Sequence, residues 1–213
     1  KGDLRIATIL FADVSGFTAM SETLDAEDVA DVMNMVFERL TDVIVSEGGT
    51  IDKYIGDCVM AIFGAPRSYG DDGERAVRAG LRMQVVLGEL AEEIELASGT
   101  KLQMRIGLNT GQVRAGYVGG KGHGAYTVMG DAVNLANRLE SACDKGRVLI
   151  SAATARLVSD SYVLSETEEL TVKGKKDPVL ASYVLRERAL TLQDGQEFFE
   201  GIPVPLVGRS AEI

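Results

Sequence analysis

The chain has 213 residues, 46% hydrophobic and 25% charged, enough for one substantial core and an appendage. A formal net charge of −10 excludes a protein that grips nucleic acid or anionic lipid over a broad surface. A small phosphorylated ligand stays open, provided cations gather locally to offset the acidic background. No apolar run approaches the ~18 residues that span a bilayer, and the opening residues lack a signal-peptide layout. The first residue is lysine rather than methionine, as in an excerpt of a longer protein. The only cysteines, Cys58 and Cys143, lack metal-type spacing and read as buried reduced thiols, which fits a cytoplasmic location.

The first predicted element lies in Leu4 to Thr18, LRIATILFADVSGFT, an apolar strand that stops at Asp13 and passes through Ser15 and Gly16 into a polar segment. Such a strand delivers one carboxylate to an exposed edge. From Asp25 to Glu47, Val29, Met33, Val36, Phe37, Leu40 and Ile44 recur at helical spacing, with Asp25 as cap and Gly48-Gly49 as stop. This Met and Phe stripe reads as core packing. Thr50 to Phe63, TIDKYIGDCVMAIF, predicts two short strands joined at Gly56-Asp57. Asp57 then sits at a hairpin tip, as a mere turn-former or as a second metal-binding carboxylate opposite Asp13. Lys53, at an even offset from Asp57, projects to the same side.

Gly64 to Gly73 is a predicted loop, and a second long helix follows to about Ala97. Leu102–Asn109 and Gln112–Val118 read as strands of a hairpin turning at Thr110-Gly111. Gly119 to Gly124, GGKGHG, is a loop holding the only histidine, His123, which reads as solvated. It is no P-loop, because Lys121 is followed by glycine and not by Ser or Thr. Asp131 to Cys143 is a helix whose apolar face carries Ala132, Leu135, Ala136, Leu139 and Ala142. Asn134 and Arg138, four apart, share the opposite face, where a solvated pair is the ordinary reading. A strand at Arg147–Ile150, a helix at Ser151–Ser159, and closing strands at Tyr162–Lys173 and Val179–Leu185 complete an α+β sandwich. Lys173, Lys175 and Lys176 cluster at the last turn, either solubilising it or meeting phosphate. Gln193 to Pro205 has the texture of a linker.

Taken together, FADVSGFT, KYIGDCVMAIFG, GLNTGQV and GDAVNLANRLES resemble the catalytic domain of class III nucleotidyl cyclases over about residues 4 to 186. The resemblance implies a ferredoxin-like α+β fold, a mostly antiparallel sheet with helices packed on one side. It implies that Asp13 and Asp57, with the Val14 carbonyl, hold two Mg²⁺ or Mn²⁺ ions, and that the amides of Gly16, Phe17 and Thr18 receive phosphate oxygens. Lys53 and Thr127 occupy the base-reading positions, so ATP is the implied substrate. Asn134 orients the ribose, Arg138 stabilises charge on the α-phosphoryl group, and Lys173 contacts the triphosphate. Gln112 stands where some relatives carry a phosphate-facing arginine.

Because family sites lie between two catalytic domains and this chain carries both halves, the resemblance implies a homodimer with two equivalent sites. Thr127 in place of Asp is similar to the subgroup that includes bicarbonate-responsive cyclases, which makes bicarbonate a candidate regulator. Residues 1–188 are then the adenylate cyclase domain, acting in cyclic nucleotide signalling. Residues 189–213 form a linker whose end, VPLVGRSAEI, resembles the lead-in to an AAA-type ATPase module. The competing reading is a cyclase-like regulatory domain that binds nucleotide or bicarbonate without turnover.

Overall fold

The computed structural model describes residues 2–118, 125–171, 178–188, 196–199 and 202–205. Its centre is β1, Asp3–Ser15, flanked by the β2 and β3 hairpin, Thr50–Ile55 and Cys58–Phe63, and by β4, Gln103–Val118. Beyond β4 come β6, Val148–Ser151, and β9, Val179–Glu187, with β5, Ala125–Met129, pairing β4. The long apolar run in β1 follows from cover on both faces. Leu10, Ala12 and Val14 enter one core, and Ala7, Ile9 and Phe11 enter another on the opposite face.

The first core is closed by α2, Ala26–Ser46, and α3, Asp72–Ser98, through Val36, Leu40, Ile44, Met83, Leu87 and Ile94. Asp25 takes the cap position of α2 without a side-chain capping bond. The second face is covered by α4, Asp131–Ala142, through Ala132 and Ala136, while Leu139 packs on β6 and β9 residues. The α+β class and the mostly antiparallel sheet stand as expected, with β6 parallel to β4. Helices on one side only do not: α4 occupies the other face. Gly107 permits this, since a Cβ there would lie 2.1 Å from the Glu140 amide nitrogen.

The expected turn at Thr110-Gly111 is also corrected. Strand β4 runs unbroken for 16 residues, in register with β1 from Asp3↔Ala115 to Ser15↔Gln103. Thr110 is buried and shares hydroxyl contacts with Thr8 at 2.8 Å and Thr154 at 3.0 Å. Gly111 serves helix packing, because its Cβ would meet that of Ala132 at 2.9 Å. The helix α5, Ala152–Val158, is capped as read: the Ser151 hydroxyl accepts from the Thr154 amide at 3.2 Å. The predicted Tyr162–Lys173 strand is two short ones, β7 at Tyr162–Leu164 and β8 at Glu168–Leu170, both pairing β9. Within the expected linker, β10 at Gln196–Phe199 and β11 at Ile202–Pro205 pair as an antiparallel ribbon. His123 and Lys173 lie outside the described residues.

Candidate active site

Two carboxylates meet at one end of the sheet because of strand register. Asp13 is paired with Cys58, the first residue of β3, and the Val14 amide donates to the Asp57 carbonyl at 3.0 Å. Gly56, at φ +63, supplies the left-handed turn that places Asp57 there. Just beyond β1, Gly16 has φ +124, and a Cβ would come within 2.7 Å of the Leu102 side chain. The chain therefore turns sharply into the short helix α1, Phe17–Met20, pinned by buried Phe17 and Met20. A cleft of about 670 Å³ opens here, lined by Ser15, Gly16, Thr18, Asp57, Lys101 and Lys145.

Arg105, on β4, lies between two acids. Its Nη2 donates to Asp13 Oδ2 at 2.6 Å and stands 3.2 Å from Glu140 Oε1. The hydrogen bond to Asp13 raises the guanidinium further above its ordinary range. Glu140, on α4, is 5% exposed. Burial pushes its carboxyl up, and Arg105 opposes that shift. The same surroundings hold the Cys58 thiol at about 12, first through burial and then through Glu140 and Asp13. Asp13 and Glu140 thus share one guanidinium, with Asp57 at the same strand end, a negative focus that calls for further cations.

The donor set fits hard divalent ions, which take oxygen ligands and, for Mg²⁺, keep several positions for water and substrate phosphate. Asp13, Asp57 and the Val14 carbonyl provide such oxygens. Among the described residues, no cluster of three or more His, Cys, Asp or Glu side chains forms a complete protein cage.

The remaining predicted residues are placed but not joined to this pair. Lys53 projects from β2 opposite Met60, half exposed, with its ammonium 3.1 Å from Asp52. Thr127, on β5 opposite Gly116, has a buried hydroxyl without a hydrogen-bond partner among the described residues. On α4, Asn134 is exposed and Arg138 carries a buried Nη1 that likewise lacks one among the described residues. Among the described residues, no hydrogen bond or ion pair links Lys53, Thr127, Asn134 or Arg138 to Asp13 or Asp57. Sequence reasoning missed Arg105 and Glu140. The signals were present: Arg105 interrupts an apolar strand, and Glu140 follows Ala136 by four on the apolar face of α4. Gln112 is exposed, and the arginine near the carboxylates is Arg105 on the same strand.

The adenylate and guanylate cyclase catalytic domain family matches residues 3–187. An adenylate cyclase of Anabaena cylindrica is 33% identical over 186 residues, covering 82% of this chain and 36% of that protein. A terminal-differentiation specific adenylate cyclase of Dictyostelium discoideum is 35% identical over 178 residues, 81% of this chain and 8% of that protein. The chain spans between 8% and 41% of the length of the curated relatives it matches. Among solved structures, the adenylyl cyclase CyaB from P. aeruginosa superposes with a TM-score of 0.84 at 37% identity, covering 88% of this chain and 97% of that one. The guanylyl cyclase Cya2 gives 0.83 at 39%, covering 90% and 97%. Likeness therefore extends to enzymes named for either purine.

Proposed function

The chain belongs to the adenylate and guanylate cyclase catalytic domain family, and from that premise we propose that it converts ATP to 3′,5′-cyclic AMP and pyrophosphate. The observation that carries the reading is the Asp13–Asp57 pair, fixed at one strand end by the Val14 amide. Asp13, Asp57 and the Val14 carbonyl hold two divalent ions, Mg²⁺ or Mn²⁺. When bound, these supply Lewis acidity to the ribose 3′-hydroxyl and charge neutralisation to the triphosphate. Arg105 keeps a positive charge beside them, and the backbone amides of Gly16, Phe17 and Thr18, where the chain turns into α1 next to the cleft, receive phosphate oxygens. Lys173 adds a further phosphate contact.

Lys53 selects the base. Its ammonium donates to the N1 acceptor of adenine, whereas guanine presents an N–H at that position. Thr127 completes the base site, Asn134 orients the ribose, and Arg138 stabilises charge on the α-phosphoryl group. The unpartnered polar atoms of Thr127 and Arg138 support a site completed by a second copy of the chain. So do exposed Tyr117, Val118 and Met129 on β4 and β5, apolar surface suited to a homodimer. Residues 1–188 form the catalytic unit, and residues 189–213 lead toward an AAA-type module. Among the described residues, no helix is long and apolar enough to cross a membrane. We place the domain in the cytoplasm and take bicarbonate as its candidate regulator.

Product analysis with ATP and GTP, with and without Mn²⁺ and bicarbonate, tests the reading. Cyclic AMP from ATP in preference to cyclic GMP from GTP is expected. Preferred cyclisation of GTP would overturn the base assignment, and no product from either would favour a sensory domain.

A further inference from the structure

The Asp52 side chain is fully shielded from solvent, yet among the described residues neither carboxylate oxygen has a hydrogen-bond partner. Among the described residues, the one ion pair it makes is with the Lys53 ammonium, 3.1 Å from Oδ2. A buried carboxylate with so little support is costly, and a fold keeps one where its charge is used. Its position is equally unusual. Ile51 lies opposite Ala61 and Lys53 opposite Met60, so Asp52 is the extra residue of a β-bulge. Bulges bend a strand locally and re-aim a side chain, often beside active sites.

The effect on β2 can be followed residue by residue. Ile51 packs into the core under α2, and Tyr54 stacks near Phe37 and shares a 2.6 Å hydroxyl contact with Thr41 of α2. These two α2-facing residues are three apart, whereas an unbroken strand would repeat at an even interval. Lys53 is thereby shifted onto the face of its partner Met60, which belongs to the core shared with α4. The bulge thus does two things at once: it turns Lys53 to that face and sets a buried negative charge against its ammonium.

Resting on the assignment of Lys53 as the adenine-reading residue, we propose that Asp52 is its positioning residue and a determinant of purine specificity. A lysine on a flexible four-carbon stem can reorient, and a free ammonium could donate to guanine O6 as readily as to adenine N1. Paired with Asp52, the ammonium is held by charge beside the carboxylate, which restricts the directions in which its donors can reach the base. Thr127, a neutral hydroxyl, brings no counter-charge to the base site, so Asp52 supplies it. Discrimination against GTP then comes from the tether as well as from the lysine.

The test compares ATP and GTP kinetics and thermal stability of wild type, Asp52→Asn, Asp52→Glu and Lys53→Met, with the double variant Asp52→Asn/Lys53→Met. Asp52→Asn, nearly isosteric, should raise KM for ATP and lower the ATP-over-GTP ratio of kcat/KM by about tenfold, the low end of what a close charge pair is worth. Asp52→Glu should restore part of that ratio. In the Lys53→Met background, Asp52→Asn should change the ratio no further. An ATP-over-GTP ratio within about twofold of wild type in Asp52→Asn, whatever its melting temperature, would overturn the proposal. If Asp52→Asn does not fold, Asp52→Ser takes its place; failure of both to fold would assign Asp52 to folding and overturn the proposal as well. An unchanged ratio in Lys53→Met would instead sink the base-reading assignment beneath it, and an inactive wild type would sink the cyclase reading.

Discussion

Arg105 shows how much of the site's electrostatics rests on one side chain. Among the described residues it is the one cation paired with Asp13 and Glu140, at 2.6 and 3.2 Å. Its removal leaves Glu140 a buried carboxylate with no counter-charge. Arg105→Met should therefore destabilise the fold by about 2 kcal/mol, with Glu140→Gln recovering most of the loss in a double-mutant cycle read by urea unfolding. Additive losses would show that the two residues do not act as a pair. Asp13 was legible in the sequence because it ends an apolar run, and Asp57 became legible at its Gly56-Asp57 turn once the motifs were taken together. Arg105 and Glu140 were not, because each is a single charge within an apolar pattern, and only the packing of α4 on β4 shows that they are partners. Cys58 gives a second test at this scale. With its pKa near 12, the native thiol carries about a thousandfold less thiolate than an ordinary cysteine at neutral pH. Alkylation at pH 8 should be negligible in the folded protein and rapid in urea. Because the folded thiol holds its proton more tightly than the unfolded one, its contribution to stability is intact below pH ~9 and is lost as the pH climbs toward 12.

At the scale of elements, β4 and α4 behave as one unit. Thr110-Gly111 looked like a turn because a glycine after a hydroxyl residue, between apolar runs, commonly is one. The structure uses the glycine for the approach of Ala132, and the full-length ladder with β1 overrides the local signal. Helix α4 was legible from its period, but its face of the sheet was not. That depends on Gly107, whose missing Cβ lets the Glu140 and Ala136 backbones sit against β4. A methyl group there would lie 2.1 Å from the Glu140 nitrogen and 2.6 Å from the Ala136 oxygen, both backbone atoms that cannot step aside alone. Gly107→Ala should therefore cost ~3 kcal/mol or more, at the upper end of overpacking penalties. A thermal unfolding midpoint close to wild type would contradict this packing. Displacing α4 also carries Arg138 with it, so activity should fall further in this variant than the loss of folded protein explains.

At the scale of the whole molecule, the proposed homodimer divides each site between two copies. The carboxylate pair sits with Arg105 at one sheet end, while Lys53, Thr127, Asn134 and Arg138 make no hydrogen bond or ion pair with it among the described residues. An excess of ten negative charges on the chain is compatible with a polyphosphate substrate only if each site gathers its cations locally. In the proposed homodimer, pairing two copies would do that by bringing Lys53 and Arg138 of one protomer against Asp13 and Asp57 of the other. The arrangement makes a quantitative prediction. Asp57→Ala and Arg138→Ala should each be inactive alone, since each homodimer lacks one component at both sites. Mixed in equal amounts and allowed to exchange subunits, half the dimers pair one variant with the other, and each of these contains one intact and one doubly damaged site. Activity should then rise to about one quarter of wild type. If each chain instead built its own complete site, every site in the mixture would still lack a residue. Heterodimers shown by mass measurement to form without regaining turnover would therefore exclude a shared site, whereas recovery close to one quarter would assign the metal-binding and transition-state residues of each working site to different copies.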